Sequence, residues 1–260
     1  MKPFGSDWPR ISRRLGAAKK KLLLLDFDGT LVSIARTPSE VRFRDRTQKL
    51  LRQLARRPDY RLAIISGRSL RDLKGFFRLK NALYVGNHGL EMSGGRLRPP
   101  PEARRARKMR FALWKIFEKM SADFYGLPGV LLEDKGLTLG LHFRNVGREH
   151  RPAFAEAVEY LRRHTRVGGH PLVWKKGKKV WEVVPKIRWH KGFAAAYLLR
   201  RHRGALPIVI GDDRTDEDMF KAMRRFGITV RVGPSRATHA RYYLRSQREV
   251  DRLLEALLNA

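Results

Sequence analysis

Two carboxylates follow a short apolar run near the start of the chain, at the point where a buried strand would end. Asp26 and Asp28 come directly after residues 22–25, which are all leucine, and Gly29 and Thr30 complete the turn. An oxygen-rich loop can hold a hard cation such as Mg²⁺, and a carboxylate can attack phosphorus to give an acyl phosphate. Asp and Gly are also common in solvated turns, so this spacing alone leaves both interpretations open.

Further polar residues follow other apolar runs and add what phosphoryl transfer requires. Ser66 can hydrogen-bond a phosphoryl oxygen, Lys191 can supply a fixed positive charge, and Asp212 with Asp213 can supply a distant metal ligand. Taken one at a time, Ser66 also fits a helix cap, Lys191 a surface lysine, and the Asp212–Asp213 pair a solvated turn. At about 3 Å and an effective dielectric of about 20, an anionic nucleophile and a phosphate dianion repel by roughly 11 kcal/mol. A cation and a lysine offset that repulsion, so the set together predicts a phosphoryl-transfer site.

The apolar runs predict the elements that position these residues. They alternate with amphipathic helical stretches and lie at residues 22–25, 62–65, 82–85, 207–210 and 228–232. This alternation is typical of an α/β fold with a parallel sheet and helices on both faces. Because ligands bind at the carboxyl ends of such strands, we expect one set of side chains to converge there: Asp26, Asp28, Ser66, Asn87 and Asp212.

Three helix starts are also predicted from cap residues. Ser69 with Asp72 three positions on indicates one start, and the His-Lys-Gly sequence at residues 190–192 opens another helix. Thr215 with Asp218 is interpreted as a third cap.

The middle of the chain follows a different pattern. One long helical pattern follows the three prolines at residues 99–101. Apolar and polar residues alternate at residues 137–143, and a second helical pattern lies around residues 154–161. Alternation combined with helices suggests a separate α+β module with a half-exposed antiparallel sheet. We therefore predict a catalytic core of residues 1–98 and 187–260, interrupted by an inserted α+β cap domain of residues 99–186.

Composition excludes several classes of protein. The 260 residues include no cysteine, which excludes disulfides, thiolate catalysis and cysteine-based metal sites. No apolar stretch approaches the roughly 20 residues of a membrane span, and no export sequence precedes the first strand, so we expect no membrane partner and a cytoplasmic location. We also expect a monomer.

The net charge of +32 is the feature that most favours a nucleic-acid partner. The basic residues are spread almost evenly along the chain, and many stand at predicted helix ends, where they complement the helix dipole. No interleaved aromatic and basic stripe is visible, which weighs against single-strand binding. The surface suits anionic ligands in general, and nucleic-acid binding stays open as the less favoured alternative.

Longer motifs carry a resemblance to a known family. The sequences Asp-Phe-Asp-Gly-Thr, Ile-Ser-Gly-Arg, His-Lys-Gly and Gly-Asp-Asp-Arg-Thr-Asp-Glu-Asp, in this order, resemble the haloacid dehalogenase (HAD) superfamily of phosphatases. Within it, the chain is similar to the trehalose-6-phosphate phosphatases. This narrower resemblance rests on residues 86–91, 133–136, 141–144, 177–182 and 211–220, and the matching segments run from about residue 20 to about residue 235.

The resemblance implies a Rossmann-like HAD core with an inserted cap, and it implies roles for the acidic residues. Asp26 would be the nucleophile, and Asp28 the general acid and then the general base. Mg²⁺ would be held by Asp26, the main-chain carbonyl of Asp28 and Asp212. Asp213 and Asp216 would orient the metal-bound waters and the lysine. Ser66 and Lys191 would complete the catalytic set.

The resemblance also implies residues that bind the substrate, and the cap members among them match positions that hold sugar hydroxyls. The full set is Gly67, Arg68, Asn87, His88, Glu133, Lys135, Arg144, Lys178 and Glu182. A salt-bridged sheet surface is the alternative interpretation of the cap residues. The implied activity is Mg²⁺-dependent hydrolysis of trehalose 6-phosphate, a small-molecule sugar phosphate. The alternatives are sucrose 6-phosphate, mannosyl-3-phosphoglycerate, or a nucleic-acid-binding protein on the same scaffold.

Overall fold

The computed structural model of the chain describes residues 1–77, 79–164 and 172–260, and within them two compact units. The first unit comprises Met1–Ile34, Val41–Arg98 and Trp189–Ala260. The second comprises Ala35–Glu40 and Pro99–Arg188.

The elements are numbered in chain order over both units. The strands are β1 (Lys2–Pro3), β2 (Lys21–Leu25), β3 (Tyr60–Ile65), β4 (Leu83–Gly86), β5 (Glu91–Ser93), β6 (Leu131–Asp134), β7 (Leu139–His142), β8 (Leu172–Lys176), β9 (Val180–Pro185), β10 (Leu206–Gly211), β11 (Ile228–Val232) and β12 (Tyr242–Leu244). The α-helices are α1 (Trp8–Ala17), α2 (Asp45–Arg56), α3 (Leu70–Phe76), α4 (Pro101–Lys108), α5 (Arg110–Asp123), α6 (Arg151–His164), α7 (Lys191–Arg201), α8 (Glu217–Met223) and α9 (Val250–Leu258).

The first unit is built on one sheet with the strand order β1-β12-β11-β10-β2-β3-β4-β5. All its pairings are parallel except that of β4 with β5, which is antiparallel. Every residue of β2 is buried, and Leu22 and Leu24 pack in one cluster with Leu198 of α7 and Phe220 of α8. A central strand buried on both faces needs a continuous apolar sequence, which is why this strand is a run of leucines.

Two of the three predicted helix starts are confirmed. The Ser69 hydroxyl accepts a hydrogen bond from the main-chain N–H of Asp72 at 3.1 Å, and His190 caps α7 through the N–H of Gly192. The third prediction is wrong, because α8 begins at Glu217 and its N-cap residue is Asp216, not Thr215. The main-chain N–H of Asp216 donates to Asp213 in a tight turn, so the chain enters the helix later than the capping pattern indicated.

The second unit has an antiparallel sheet with the order β6-β7-β9-β8, and α5 and α6 bury their apolar sides against it. Leu139, Leu141 and Val183 are on the buried side of the sheet. Because side chains alternate along a strand, Gly140 and its register partner Glu182 lie on the opposite, polar side. The helical segment predicted after residue 101 is divided at Met109 into α4 and α5.

No helix in the described ranges combines the length and the apolar character that crossing a bilayer requires.

Candidate active site

The loop after β2 carries the two aspartates in different environments. Asp26 is buried, and its main-chain N–H bonds the carbonyl of Ile210 at the end of β10. The side chain of Asp28 is 37% exposed. Gly29 has a φ of 87°, and a Cβ at that position would overlap the carboxylate of Asp212. The loop therefore needs glycine both for its left-handed backbone and for its close contact with the end of β10.

Lys191 joins this loop to the segment after β10. Its Nζ lies 2.6 Å from Oδ1 of Asp26 and 2.8 Å from Oδ1 of Asp216, and all three side chains are buried. Lys191 is the first residue of α7, directly after the His190 cap, and its side chain is held by the two carboxylates. One ammonium group is thus shared between two carboxylates in an enclosed site.

The proton affinities of Asp26 and Lys191 are both strongly perturbed. Burial raises the pKa of Asp26, and the charges of Asp216 and Asp212 raise it further, against the opposing effect of Lys191. Burial disfavours the ammonium form of Lys191, but the charges and hydrogen bonds of Asp216 and Asp26 outweigh burial and raise the pKa of Lys191. The lysine is therefore a fixed positive charge.

Three buried carboxylates at this site could hold a cation. Asp26, Asp212 and Asp216 each offer an oxygen atom, and these atoms all lie within 4.8 Å of one another. Among the described residues, no group donates a hydrogen bond to Oδ2 of Asp26, which is buried. A buried anionic oxygen of this kind is costly unless it meets a cation, and oxygen donors suit Mg²⁺. The residues present therefore fit a hard divalent ion.

Asp216 differs from the other two aspartates because its oxygens already have protein partners. Oδ1 accepts from Lys191, and Oδ2 accepts from the main-chain N–H groups of Asp212 and Asp213 at 2.9 Å each. These bonds fix the turn that carries Asp212. The Asp213 carboxylate is partly exposed and accepts from the N–H of Arg214.

The ends of β3 and β4 form the next part of the same edge. Ser66 is buried, and its hydroxyl accepts from the N–H of Arg68 at 3.1 Å, which leaves the hydroxyl hydrogen to donate. The Asn87 side chain donates to Glu91 at 2.8 Å. Asn87 and His88 both have left-handed backbones, with φ of 46° and 55°. A Cβ at Gly67 would overlap the His88 ring, so glycine allows this close contact.

Arg68 makes contacts that the sequence did not predict. Its guanidinium forms two hydrogen bonds with Asp28, at 2.7 and 2.8 Å, and a third with Asp72 at 2.6 Å. The group is buried beside the rings of Phe27 and Phe76, at 5.3 and 5.2 Å from their centres. Asp72, in the first turn of α3, is only four residues from Arg68, which could have indicated their pairing, but Asp28 is 40 residues away in the sequence.

The second unit brings several of its predicted residues together on the polar side of its sheet. Lys135 is buried and lies 2.8 Å from Glu182 and 3.9 Å from Glu133. Glu133 also contacts Nε2 of His142 at 2.8 Å, a partner that the sequence did not predict. The Arg144 guanidinium bonds the main-chain carbonyl of Lys178 at 3.0 Å. These contacts provide fixed donors and acceptors of the type that bind hydroxyl groups.

Comparisons with known proteins connect these observations to a family. A model of the trehalose-phosphatase family matches residues 24–248. Trehalose-phosphate phosphatase B of Arabidopsis thaliana is 30% identical over 94% of this chain and 68% of its own length. Trehalose 6-phosphate phosphatase RA3 of Zea mays is 31% identical over 94% of this chain and 72% of its own length. The C-terminal domain of C. albicans trehalose-6-phosphate phosphatase matches with a TM-score of 0.81 and 25% identity, over 97% of both chains. The matched residues include the segments after β2 and β10, which carry Asp26, Asp212 and Asp216. We call these three aspartates the acidic cluster.

Proposed function

Because the chain belongs to the trehalose-phosphatase family, we propose that it hydrolyses trehalose 6-phosphate to trehalose and inorganic phosphate. The observation that carries the proposal is the pairing of Lys191 with Asp26, next to the carboxylates of Asp212 and Asp216. Lys191 supplies one positive charge toward a phosphate dianion, and the carboxylates could hold a divalent cation that would supply the rest while Asp26 approaches phosphorus. In the proposed reaction, Asp26 attacks phosphorus, the bond to the sugar oxygen breaks, and an aspartyl phosphate forms.

Asp28 has the proton-transfer role in this proposal. It protonates the departing sugar oxygen and then takes a proton from the water that cleaves the aspartyl phosphate. Ser66 donates a hydrogen bond to a phosphoryl oxygen, and Lys191 balances the charge of the phosphate. Partial exposure of Asp28 suits this role, because its protons are exchanged with the substrate and with water.

We further propose Mg²⁺ as the cofactor, held by Asp26, Asp212 and the main-chain carbonyl of Asp28. When bound, the ion would neutralise charge on the phosphoryl oxygens. The buried, unpartnered Oδ2 of Asp26 among the described residues supports this assignment. Asp216 and Asp213 would hold the surrounding turn and the metal-bound waters.

The second unit is proposed to be the sugar-binding cap, with Glu133, Lys135, Arg144, Lys178 and Glu182 at the hydroxyl groups. The paired, partly buried side chains of Lys135 and Glu182 support this role, because fixed polar groups discriminate hydroxyl patterns better than mobile ones. Gly67, Asn87 and His88 are proposed to contact the substrate from the core unit. A cytoplasmic, monomeric enzyme completes the proposal.

A substrate panel with phosphate detection tests the proposed specificity. We expect kcat/KM for trehalose 6-phosphate to exceed that for sucrose 6-phosphate and mannosyl-3-phosphoglycerate by at least about tenfold, because one net hydrogen bond of about 1.4 kcal/mol corresponds to a factor of about ten. Chelation of Mg²⁺ is expected to abolish turnover. Faster phosphate release from sucrose 6-phosphate or mannosyl-3-phosphoglycerate would make that compound the preferred substrate instead.

Lys178→Ala and Glu182→Ala test the cap assignment. Each is expected to lower kcat/KM for trehalose 6-phosphate about tenfold or more, because a recognition contact is lost, and to leave hydrolysis of p-nitrophenyl phosphate unchanged. Lys176→Ala is the matched control, since Lys176 packs over Trp181, on the opposite side of the strand from Glu182. Equal losses of kcat/KM for both substrates would show that these cap residues do not recognise the sugar.

Arg68→Lys tests whether Arg68 positions Asp28 or binds the substrate. A lysine cannot form the two-pronged pair, so we expect kcat for trehalose 6-phosphate to fall about 10- to 100-fold with little change in KM. The loss should be smaller for p-nitrophenyl phosphate, whose leaving group needs no proton. A rise in KM at constant kcat would instead support the substrate-binding role inferred from sequence.

Arg57→Lys is the control for that variant. Arg57 forms the same two-pronged pair with Asp59, at 3.0 Å for both bonds, away from the acidic cluster. Its replacement is expected to leave both substrates' kinetics unchanged.

A further inference from the structure

The outward side of α4 and α5 carries exposed aromatic and basic side chains together, and we call it the α4–α5 surface. It is defined by Arg104, Arg107, Arg110, Phe111, Trp114 and Lys115. The opposite side of α5 is apolar and buried, with Leu113, Ile116 and Met120 in the core of the second unit. Packing of α5 therefore does not require the two aromatic rings.

The two rings are exposed although they are large and apolar. Phe111 is 63% exposed and Trp114 is 49% exposed, and they stack on each other with centres 5.8 Å apart and planes 25° apart. The Lys115 ammonium lies 4.9 Å from the Phe111 ring. A third exposed ring, Tyr160 of α6, has Lys119 of α5 over it at 4.9 Å and stacks on the ring of His164, with centres 4.3 Å apart, so it is already covered within the protein. Aromatic rings and cations therefore lie side by side on neighbouring helices.

The cations of this surface are available to an anionic partner. Among the residues that the structure describes, Arg104, Arg107, Arg110 and Lys115 form no ion pair with a carboxylate. Three carboxylates lie on the same helices, Glu102 of α4, which is half-buried, and the exposed Glu118 and Asp123 of α5, against seven basic residues. The local charge is thus strongly positive within a chain whose net charge is +32. A partner that neutralises it must bring several negative charges.

The chemistry of the surface distinguishes between classes of anionic partner. A membrane-binding helix presents a continuous apolar side that includes aliphatic residues, but here that side of α5 is buried in the protein. Duplex nucleic acid offers phosphates but keeps its bases stacked internally. Single-stranded nucleic acid offers both phosphates and free base faces, which stack on exposed aromatic rings irrespective of sequence.

We propose that the α4–α5 surface binds single-stranded nucleic acid, with bases stacked on the Phe111–Trp114 pair and phosphates paired with the surrounding arginines and lysine. This function is additional to phosphate-ester hydrolysis and uses none of the residues assigned to it. Contrary to the prediction from the sequence, aromatic and basic residues do interleave over residues 110–119, and the helical turn of α5 brings Phe111, Trp114 and Lys115 to one side of the helix.

Fluorescence anisotropy with the intact chain tests the proposal, using a labelled 15-residue oligothymidylate and a duplex of the same length. We expect tighter binding of the single strand than of the duplex. The variant Phe111→Ala/Trp114→Ala should bind the single strand at least about tenfold more weakly, the loss expected from removing base stacking. It should retain wild-type turnover of phosphate esters, which also verifies that it is folded.

Two further variants make the result specific. Phe226→Ala removes an exposed ring of the first unit, 60% exposed and preceded by two arginines, and should not change binding. Arg104→Gln/Arg107→Gln should reduce the slope of log affinity against log salt by about 0.7 for each arginine removed.

Three outcomes would overturn the proposal: equal losses for the Phe111/Trp114 and Phe226 variants, equal affinity for single strand and duplex, or Trp114-dependent binding of phosphatidylserine vesicles without binding of the oligonucleotide. The first two would assign binding to the general positive charge, and the third would assign the surface to a membrane.

Discussion

Asp26→Asn is expected to lower kcat for trehalose 6-phosphate by more than about 10⁴-fold in the presence of Mg²⁺, because an amide cannot form the proposed aspartyl phosphate. The substitution is nearly isosteric, and the asparagine oxygen can still accept the bond that Lys191 now donates to Asp26. The fold should therefore persist, and phosphate release in single-turnover and steady-state assays should report the chemistry alone.

Asp251→Asn is the matched control for this variant. Asp251 is another buried aspartate of the same unit, bonded to the Thr47 hydroxyl at 2.6 Å and paired with Arg44. Its replacement is expected to cost stability but to keep kcat near the wild-type value. More than about 1% residual kcat in Asp26→Asn would exclude covalent catalysis by Asp26, whichever metal is present.

The central sheet could be predicted from the sequence because its strands are buried on both faces. Such strands are continuous apolar runs, and their ends in a parallel sheet face one edge, so the positions of Asp26, Ser66 and Asp212 relative to the sheet followed directly. The family and the α/β fold class predicted from the motifs are both confirmed by the comparisons.

The edges of the sheet were not predicted. β1 is a two-residue strand that is exposed, and β5 is a three-residue strand paired antiparallel with β4. Such short segments bury too little surface to impose a regular apolar pattern, and their pairing depends on neighbours that are already in position. β8 was missed for a related reason, because none of its residues is fully buried.

The side-chain partners within the site also required the structure. The sequence indicates that Arg68 and Asp28 lie at adjacent strand ends, but it does not indicate that the guanidinium turns toward the carboxylate. Asp216 was expected to orient the lysine, and the structure adds that its other oxygen binds two main-chain N–H groups. A pattern of residue types specifies which elements meet. A hydrogen bond, in contrast, forms only when donor and acceptor are placed to within a few tenths of an ångström, which the pattern does not specify.

Lys191→Met is expected to affect both stability and activity. It removes the ammonium shared by Asp26 and Asp216 and leaves two buried carboxylates without their common partner. Breaking a buried ion pair in this way typically lowers the free energy of unfolding by about 3–5 kcal/mol. In addition, kcat should fall by at least about 10³-fold, because the phosphate loses its fixed positive charge and the proposed nucleophile its positioning.

Lys21→Met separates these two effects. Lys21 is also buried and lies 2.9 Å from Asp59, at the opposite end of β2 from the acidic cluster. Its replacement should lower the urea midpoint of unfolding but leave kcat unchanged, since it contacts no proposed catalytic group. For Lys191→Met, Mg²⁺ should raise the urea midpoint, because a cation among the carboxylates replaces part of the lost charge. Its kcat, measured at saturating Mg²⁺ like that of the wild type, should nevertheless stay low. A kcat near the wild-type value under those conditions would reduce Lys191 to a structural counter-charge.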